Sequence, residues 1–434
     1  MTSPGSSTRG SISAAADTAG ISSVKEFQFQ ALEFFLTNLD VFVVAPTGSG
    51  KSLCYHLIPV LLRTMGKVPG TTVVISPIVW LIEDQIRAIN SFGEDAVRLC
   101  NWTPGSTPSF VFLRAEELTQ GTLIRLQDLW QQRRLTALVV DEAHCALNWG
   151  DSFRPAYGDL KRKLKLFHNV PRMALTATAS PPTVTQIAEY LGFSATYRTV
   201  FMAQGAPNIF LSVIDKGERL KVIWDLLRNL QEKDCRTPKT VVFLQNRNEV
   251  TDLWHFFRHH LPDSPMVDMY MSSTSERKKK QVALEFKKAN SEIRLLIATS
   301  AFGLGVDCKK IFRVIHLNPP RSFDDYVQQV GRASRDGSLS FGLLLADHDS
   351  KCDTEMKTYM ALTAGCRRKH LARIYFMEHR TVAPRDCCDL CENNMDEVVY
   401  FSFFYSRFSF IGGDIAESTV TVSFGDNYIS CGGD

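Results

Sequence analysis

The chain has 434 residues, 44% hydrophobic and 22% charged, with 49 Lys and Arg against 46 Asp and Glu and a formal net charge of +3. These ordinary globular values exclude a chain disordered throughout, a collagen and a coiled-coil rod, and 11 cysteines are too sparse for a disulfide scaffold. No apolar run reaches the ~18–20 residues that cross a bilayer, and length alone predicts two or three domains of roughly 150 residues.

Residues 1–23 are rich in Ser, Thr, Gly and Ala and lack the apolar segment of a secretory signal. They predict a disordered leader, too poor in apolar surface to offset the entropy of ordering. Short apolar runs follow at 40–45, 72–76, 137–140 and 172–176, then at 240–244, 294–298, 313–317 and 341–346. Each has the length and the Val, Ile, Leu and Phe content of a buried strand. Stretches 221–230 and 278–288 between them have the pattern of amphipathic helices. This alternation predicts two α/β domains, each a parallel sheet covered by helices, over 24–205 and 206–350. Residues 351–396 read as a helical segment with clustered cysteines, and 397–434 as either a short hairpin or a loose tail.

Ala45-Pro46-Thr47-Gly48-Ser49-Gly50-Lys51-Ser52 follows the first strand and opens a helix, the pattern of a phosphate-binding P-loop. Gly48 and Gly50 let backbone N–H groups close around phosphate oxygens, and the helix N-terminus adds positive potential. Lys51 places a point charge on the β- and γ-phosphates of ATP, and Ser52 is a Mg²⁺ ligand. Thr47 and Ser49 complete the loop. Asp141-Glu142-Ala143-His144 follows the strand at 137–140. A carboxylate there is placed to hold Mg²⁺ through Asp141, while Glu142 orients and deprotonates a water. His144 would report nucleotide state to neighbouring segments.

Together the P-loop and Asp-Glu-Ala-His resemble the superfamily 2 helicases and translocases. The rest of the chain resembles the RecQ family of DNA helicases. Cys145, Trp149-Gly150, Phe153-Arg154-Pro155 and Tyr157 are similar to its aromatic-rich loop, and Ser76-Pro77 with Leu81 and Asp84-Gln85 to motif Ia. Thr176-Ala177-Thr178-Ala179 is similar to motif III, and Thr299, Ala301-Phe302-Gly303-Leu304-Gly305 and Asp307 to motif V. Gln328 and Gly331-Arg332-Ala333-Ser334-Arg335-Asp336-Gly337 resemble motif VI. Cys366-Arg367-Arg368 and Cys387-Cys388-Asp389-Leu390-Cys391 resemble the zinc-binding subdomain.

The resemblance implies two tandem RecA-like P-loop NTPase domains plus a small helical zinc-binding subdomain. It implies a 3′→5′ DNA helicase that couples ATP hydrolysis, with Mg²⁺, to unwinding. Gln28 would read adenine, with Gln30 as the fallback, and Asp307 would join the nucleotide site. Gln328, Arg332 and Arg335 would act on the phosphates, the arginines stabilising transition-state charge as fingers. His144, Thr176 and Thr178 would couple hydrolysis to movement. Trp149, Phe153 and Tyr157 offer planar faces to unstacked bases, and Arg154 can bind phosphate or stack. Thiolates of Cys366, Cys387, Cys388 and Cys391 suit tetrahedral Zn²⁺, with Cys352 or His379 as substitutes.

Partners implied are single-stranded and duplex DNA and DNA-repair proteins, with no membrane, and residence in the nucleus. The chain departs from the family pattern in several places, two of them near its ends. Val24-Lys25-Glu26-Phe27-Gln28 fits the adenine-reading segment only in part, and the residues after Cys391 are too few for a winged helix. The expectation is therefore a truncated form of the motor. Rival readings are an RNA-dependent ATPase of the same superfamily and a DNA-binding scaffold that no longer unwinds.

Overall fold

A computed structural model describes residues 4–46, 48–77, 79–148, 159–202, 208–233, 236–303, 308, 310–333, 338–375 and 387–392. The chain divides into two units, Met1–Gln204 and Gly205–Asp434.

The first unit holds a seven-stranded sheet. Its strands are β1 (Val41–Val44), β2 (Thr71–Ile75), β3 (Ala96–Arg98), β4 (Phe110–Leu113), β5 (Leu135–Val140), β6 (Arg172–Thr176) and β7 (Arg198–Phe201). They lie in the order β3-β4-β2-β5-β6-β1-β7, and every pairing is parallel. β1, β2 and β4 are buried along their whole length. Helices cover both faces of a parallel sheet, so such strands have no polar side. In register, Val44 pairs with Thr176 and Val140 with Ala174. The C-terminal ends of β1, β6 and β5 therefore lie side by side. At the opposite end, buried Asp40 accepts hydrogen bonds from the backbone N–H groups of Arg172 (2.8 Å) and Ser194 (2.7 Å), fixing where β1 starts against β6.

Residues 4–18 of the predicted leader are helical, contrary to the sequence expectation. Pro4–Thr18 forms a helix, α1, packed on α2 (Glu26–Leu36) and on the helix Ile58–Thr64. Its polar composition conceals a stripe, Ile12, Ala15 and Ala16, buried in the core of the first unit. That i, i+3, i+4 spacing is one helix face, and small alanines suffice because they sit directly against a neighbour. Arg9 adds a pair of ionic contacts to α2, at 2.6 Å to Glu26 and 3.1 Å to Glu33.

The second unit holds a six-stranded sheet of β8 (Ile209–Asp215), β9 (Thr240–Phe243), β10 (Val267–Tyr270), β11 (Leu295–Ala298), β12 (Arg313–His316) and β13 (Ser340–Ala346). The order is β10-β11-β9-β12-β13-β8, again with parallel pairing throughout. The amphipathic stretches lie in the helices Arg219–Lys233 and Glu276–Lys287. Short helices Thr354–Met360, Arg367–Ile374 and Asp389–Glu392 follow the sheet. Among the described residues no helix is long and apolar enough to cross a membrane.

Candidate functional site

The loop after β1 carries Gly48 and Gly50 with φ of +80° and +88°, conformations that residues with a Cβ rarely adopt. A Cβ on Gly50 would also stand 2.9 Å from the Gln28 side-chain nitrogen. Gln28, buried on α2, donates from Nε2 to the Gly50 carbonyl (2.8 Å) and accepts from the Lys25 N–H (2.7 Å). Gln30, by contrast, faces Glu26 at 3.3 Å in an exposed position. Lys25 is a site residue the sequence reading did not single out. Its ammonium donates to the Ser49 carbonyl at 2.8 Å, so α2 grips the loop at two successive carbonyls. Its place three residues before Gln28 was the available signal. Lys51 is buried, and Ser52 precedes the helix Leu53–His56. Thr47 lies outside the described residues.

Asp141 and Glu142 follow β5 and are both buried. The Asp141 N–H is bonded to the Ile75 carbonyl at 2.9 Å, and the Ala143 N–H to the Leu175 carbonyl at 2.8 Å, which anchors the segment to strands on either side. Between these anchors Glu142 has φ of +49°, a left-handed conformation that costs a non-glycine residue about 1–3 kcal/mol and is found at functional sites. Burial pushes the Asp141 carboxyl above its ordinary value, the Glu142 charge adds to this, and Lys51 opposes it. A divalent cation is the partner that would relieve two crowded carboxylates beside one ammonium. Glu142 Oε2 is buried and accepts no hydrogen bond from the described residues; the nearest ionisable nitrogen is His144 Nδ1, at 3.5 Å. His144 Nδ1 also lies 2.9 Å from Thr176 Oγ1, whose hydroxyl reaches the Thr178 carbonyl at 3.1 Å. The structure thus brings Gln28, Ser49, Gly50, Lys51, Asp141, Glu142, His144, Thr176 and Thr178 to the C-terminal end of the first sheet's central strands.

In the second unit, Gln328 is buried in the helix Phe323–Val330, and Arg332 just beyond it is 1% exposed with its guanidinium 5.5 Å from the Phe302 ring centre. Arg335, Asp307, Trp149, Phe153, Arg154 and Tyr157 lie outside the described residues.

The four cysteines converge. The sulfurs of Cys366, Cys387, Cys388 and Cys391 all lie within 4.8 Å of one another, with Cys366 and Cys387 at 3.5 Å. Four thiolates at ~2.3 Å from one Zn²⁺ fit within such a spread, so the donor set suits that ion, adjacent Cys387 and Cys388 included. Cys352 is not in the cluster, and His379 lies outside the described residues. Thiol–thiol contact draws Cys388 below its ordinary value, chiefly through Cys387. The cluster is held by a buried ion pair, Arg367 Nε to Asp389 Oδ1 at 2.6 Å. The other Asp389 oxygen accepts from the Val213 N–H at 3.0 Å, and Cys388 bridges Leu211, so the cluster closes the free edge of β8.

Two family models match, a DEAD/DEAH box helicase domain over residues 25–187 and a helicase conserved C-terminal domain over 218–337. Among curated proteins the chain is similar to "ATP-dependent DNA helicase Q-like 2" of Arabidopsis thaliana, 28% identical across 86% of this chain and 55% of the relative. It is also similar to "ATP-dependent DNA helicase RecQ" of Bacillus subtilis, 27% identical across 81% of this chain and 61% of the relative. The chain thus spans a little over half the length of these relatives. Among solved structures, the helicase MrfA bound to DNA matches with a TM-score of 0.61 at 19% identity, covering 86% of this chain and 54% of that one. Mss116p bound to single-stranded RNA and AMP-PNP matches at 0.62 and 16%, covering 92% and 82%. At these identities the solved structures speak to the fold alone.

Proposed function

The chain belongs to the RecQ family of DEAD/DEAH-box helicases, and from that premise we propose that it is a DNA motor, hydrolysing ATP to move 3′→5′ along single-stranded DNA and unwind duplex. The observation that carries the reading is the C-terminal end of the first sheet, where β1, β6 and β5 end together. There a glycine loop and Lys51 face a buried carboxylate pair whose Glu142 Oε2 accepts no hydrogen bond from the described residues.

Lys51 and the loop N–H groups bind the phosphates. Gln28 and Lys25 hold the loop from α2, and Gln28 sets the preference for adenine. Ser52 and Asp141 would hold Mg²⁺, which neutralises charge on the phosphate oxygens when bound. Glu142 orients a water and takes its proton. His144 passes the state of the site to Thr176 and Thr178. Arg332 and Arg335 contribute transition-state charge stabilisation, Gln328 positions the attacking water, and Asp307 joins the nucleotide site. Trp149, Phe153, Arg154 and Tyr157 take the DNA, by stacking and by phosphate contact, without sequence choice. Cys366, Cys387, Cys388 and Cys391 hold a structural zinc. Nuclear residence and contact with DNA-repair proteins belong to the same reading.

Lys51→Ala tests the core of it. The variant should keep its melting temperature while ATP turnover with single-stranded DNA falls by about 10²-fold or more, the scale of losing one preorganised charge at a transition state. Turnover at the wild-type rate would refute the proposal.

A further inference from the structure

We infer that Cys145 is a positioning residue for the coupling histidine: its thiol donates to His144 Nε2 and so reinforces the imidazole tautomer that addresses Thr176. The inference deepens the role given to His144 above, and its first test is independent of any ATPase activity.

Proton counting leads to it. We assign the single hydrogen of the Thr176 hydroxyl to its 3.1 Å contact with the Thr178 carbonyl, an atom that can only accept. Toward His144 Nδ1, 2.9 Å away, Thr176 Oγ1 is therefore an acceptor. The Glu142 carboxylate oxygen, 3.5 Å from the same nitrogen, is an acceptor too. Two acceptors facing Nδ1 assign the ring proton to Nδ1 and leave a lone pair on Nε2. The atom facing that lone pair is Cys145 Sγ, at 3.6 Å, within reach for a thiol donor.

In water a neutral imidazole carries its proton mainly on the other nitrogen, so the surroundings must hold this form. Glu142, His144, Cys145 and Thr176 are 5%, 7%, 1% and 0% exposed, which keeps water from competing and makes each mismatched contact costly. The backbone presents the thiol at the right place, since the Cys145 N–H is bonded to the Glu142 carbonyl at 3.0 Å. The outcome is a directed chain, Cys145 to His144 to Thr176 to Thr178, that runs from the end of β5 to the end of β6. The other tautomer would set a lone pair on Nδ1 against two acceptors.

The test uses the full chain labelled with ¹⁵N-histidine, in wild-type, C145V, C145A and C145S forms, with H144Q to assign the resonance. Nitrogen shifts distinguish the tautomers directly. His144 should carry its proton on Nδ1 in the wild type, hold a smaller fraction of it there in C145V and C145A, and regain the wild-type fraction in C145S, whose hydroxyl restores a donor. C145A serves if valine prevents folding. Stimulation of ATP turnover by single-stranded DNA should follow the same order. It should fall roughly three- to tenfold without the donor, as loss of one neutral hydrogen bond entails, and return to within about twofold with serine. A wild-type proton on Nε2, or a tautomer unchanged in C145V and C145A, would overturn the inference. So would a shifted tautomer that leaves stimulation unaltered. A chain inert toward ATP in every form would instead count against the proposed motor, with the tautomer still deciding the role of Cys145.

Discussion

Two buried histidines give the chain an acid sensitivity that follows from single side chains. His56 lies edge-on to the Tyr55 and Phe110 rings, and burial pushes its pKa down to about 3. His316 stacks on Phe243 with ring centres 5.3 Å apart, keeps Nε2 3.0 Å from Gln329 Oε1, and is pushed down to about 4 by the same cause. In the unfolded chain each titrates near ~6.5, so the unfolded state takes up protons first as pH falls. Stability from this source is complete above pH ~6.5 and drains away toward the folded-state values, at up to ~1.4 kcal/mol per pH unit for each histidine. Urea midpoints should decline steadily from pH 7.5 to 4.5, and less steeply in His316→Gln; a flat wild-type profile would contradict this. At this scale the sequence displayed the chemistry of a side chain well and its partners poorly. Lys51, Asp141 and the four cysteines were legible from residue type and spacing. Lys25 on the Ser49 carbonyl was not, because a contact across 24 residues exists only after the chain folds. The thiol at Cys145 was read as one letter of a motif, since its partner's tautomer depends on a threonine at the end of another strand.

The cysteine helices and the edge strand β8 form one mechanical element. Arg367 and Asp389 are each 4% exposed at the side chain, and removing one partner strands a buried charge. Asp389→Ala should therefore destabilise the second unit by about 3 kcal/mol and weaken retention of zinc, which the wild-type chain should hold at about one ion per chain by mass spectrometry. A variant with wild-type stability and metal content would show that this ion pair does not tie the cluster to the sheet. Periodicity revealed most of the strands that are buried on both faces, though Phe110–Leu113, equally buried, was not among the predicted runs. β9, β11, β12 and β13 are buried throughout and stood out as runs. The edge strands β3, β7 and β10 did not, because each is partly exposed and carries polar residues such as Arg98, Arg198 and Asp268. α1 escaped for the opposite reason. Its buried face is made of Ile12 and alanines among serines and glycine, a composition that reads as unstructured until a packing neighbour is known.

Across the whole molecule, two parallel sheets of similar construction each place functional letters beyond the C-terminal ends of their strands, where doubly wound sheets bind ligands. The fold class and the family were readable because a P-loop, an Asp-Glu-Ala-His segment and two strand sets occur in one fixed order. Strand order was not, since it is set by crossovers that leave no mark on local pattern. The central claim is that this chain spends ATP to separate DNA strands with a fixed direction. Strand displacement of a labelled duplex, offered with a 3′ tail, a 5′ tail or no tail and with ATP present or withheld, tests it most directly. The account expects ATP-dependent release from the 3′-tailed duplex and little from the others. Release from the 5′-tailed duplex alone, or ATP turnover stimulated equally by RNA and DNA without any strand release, would contradict it.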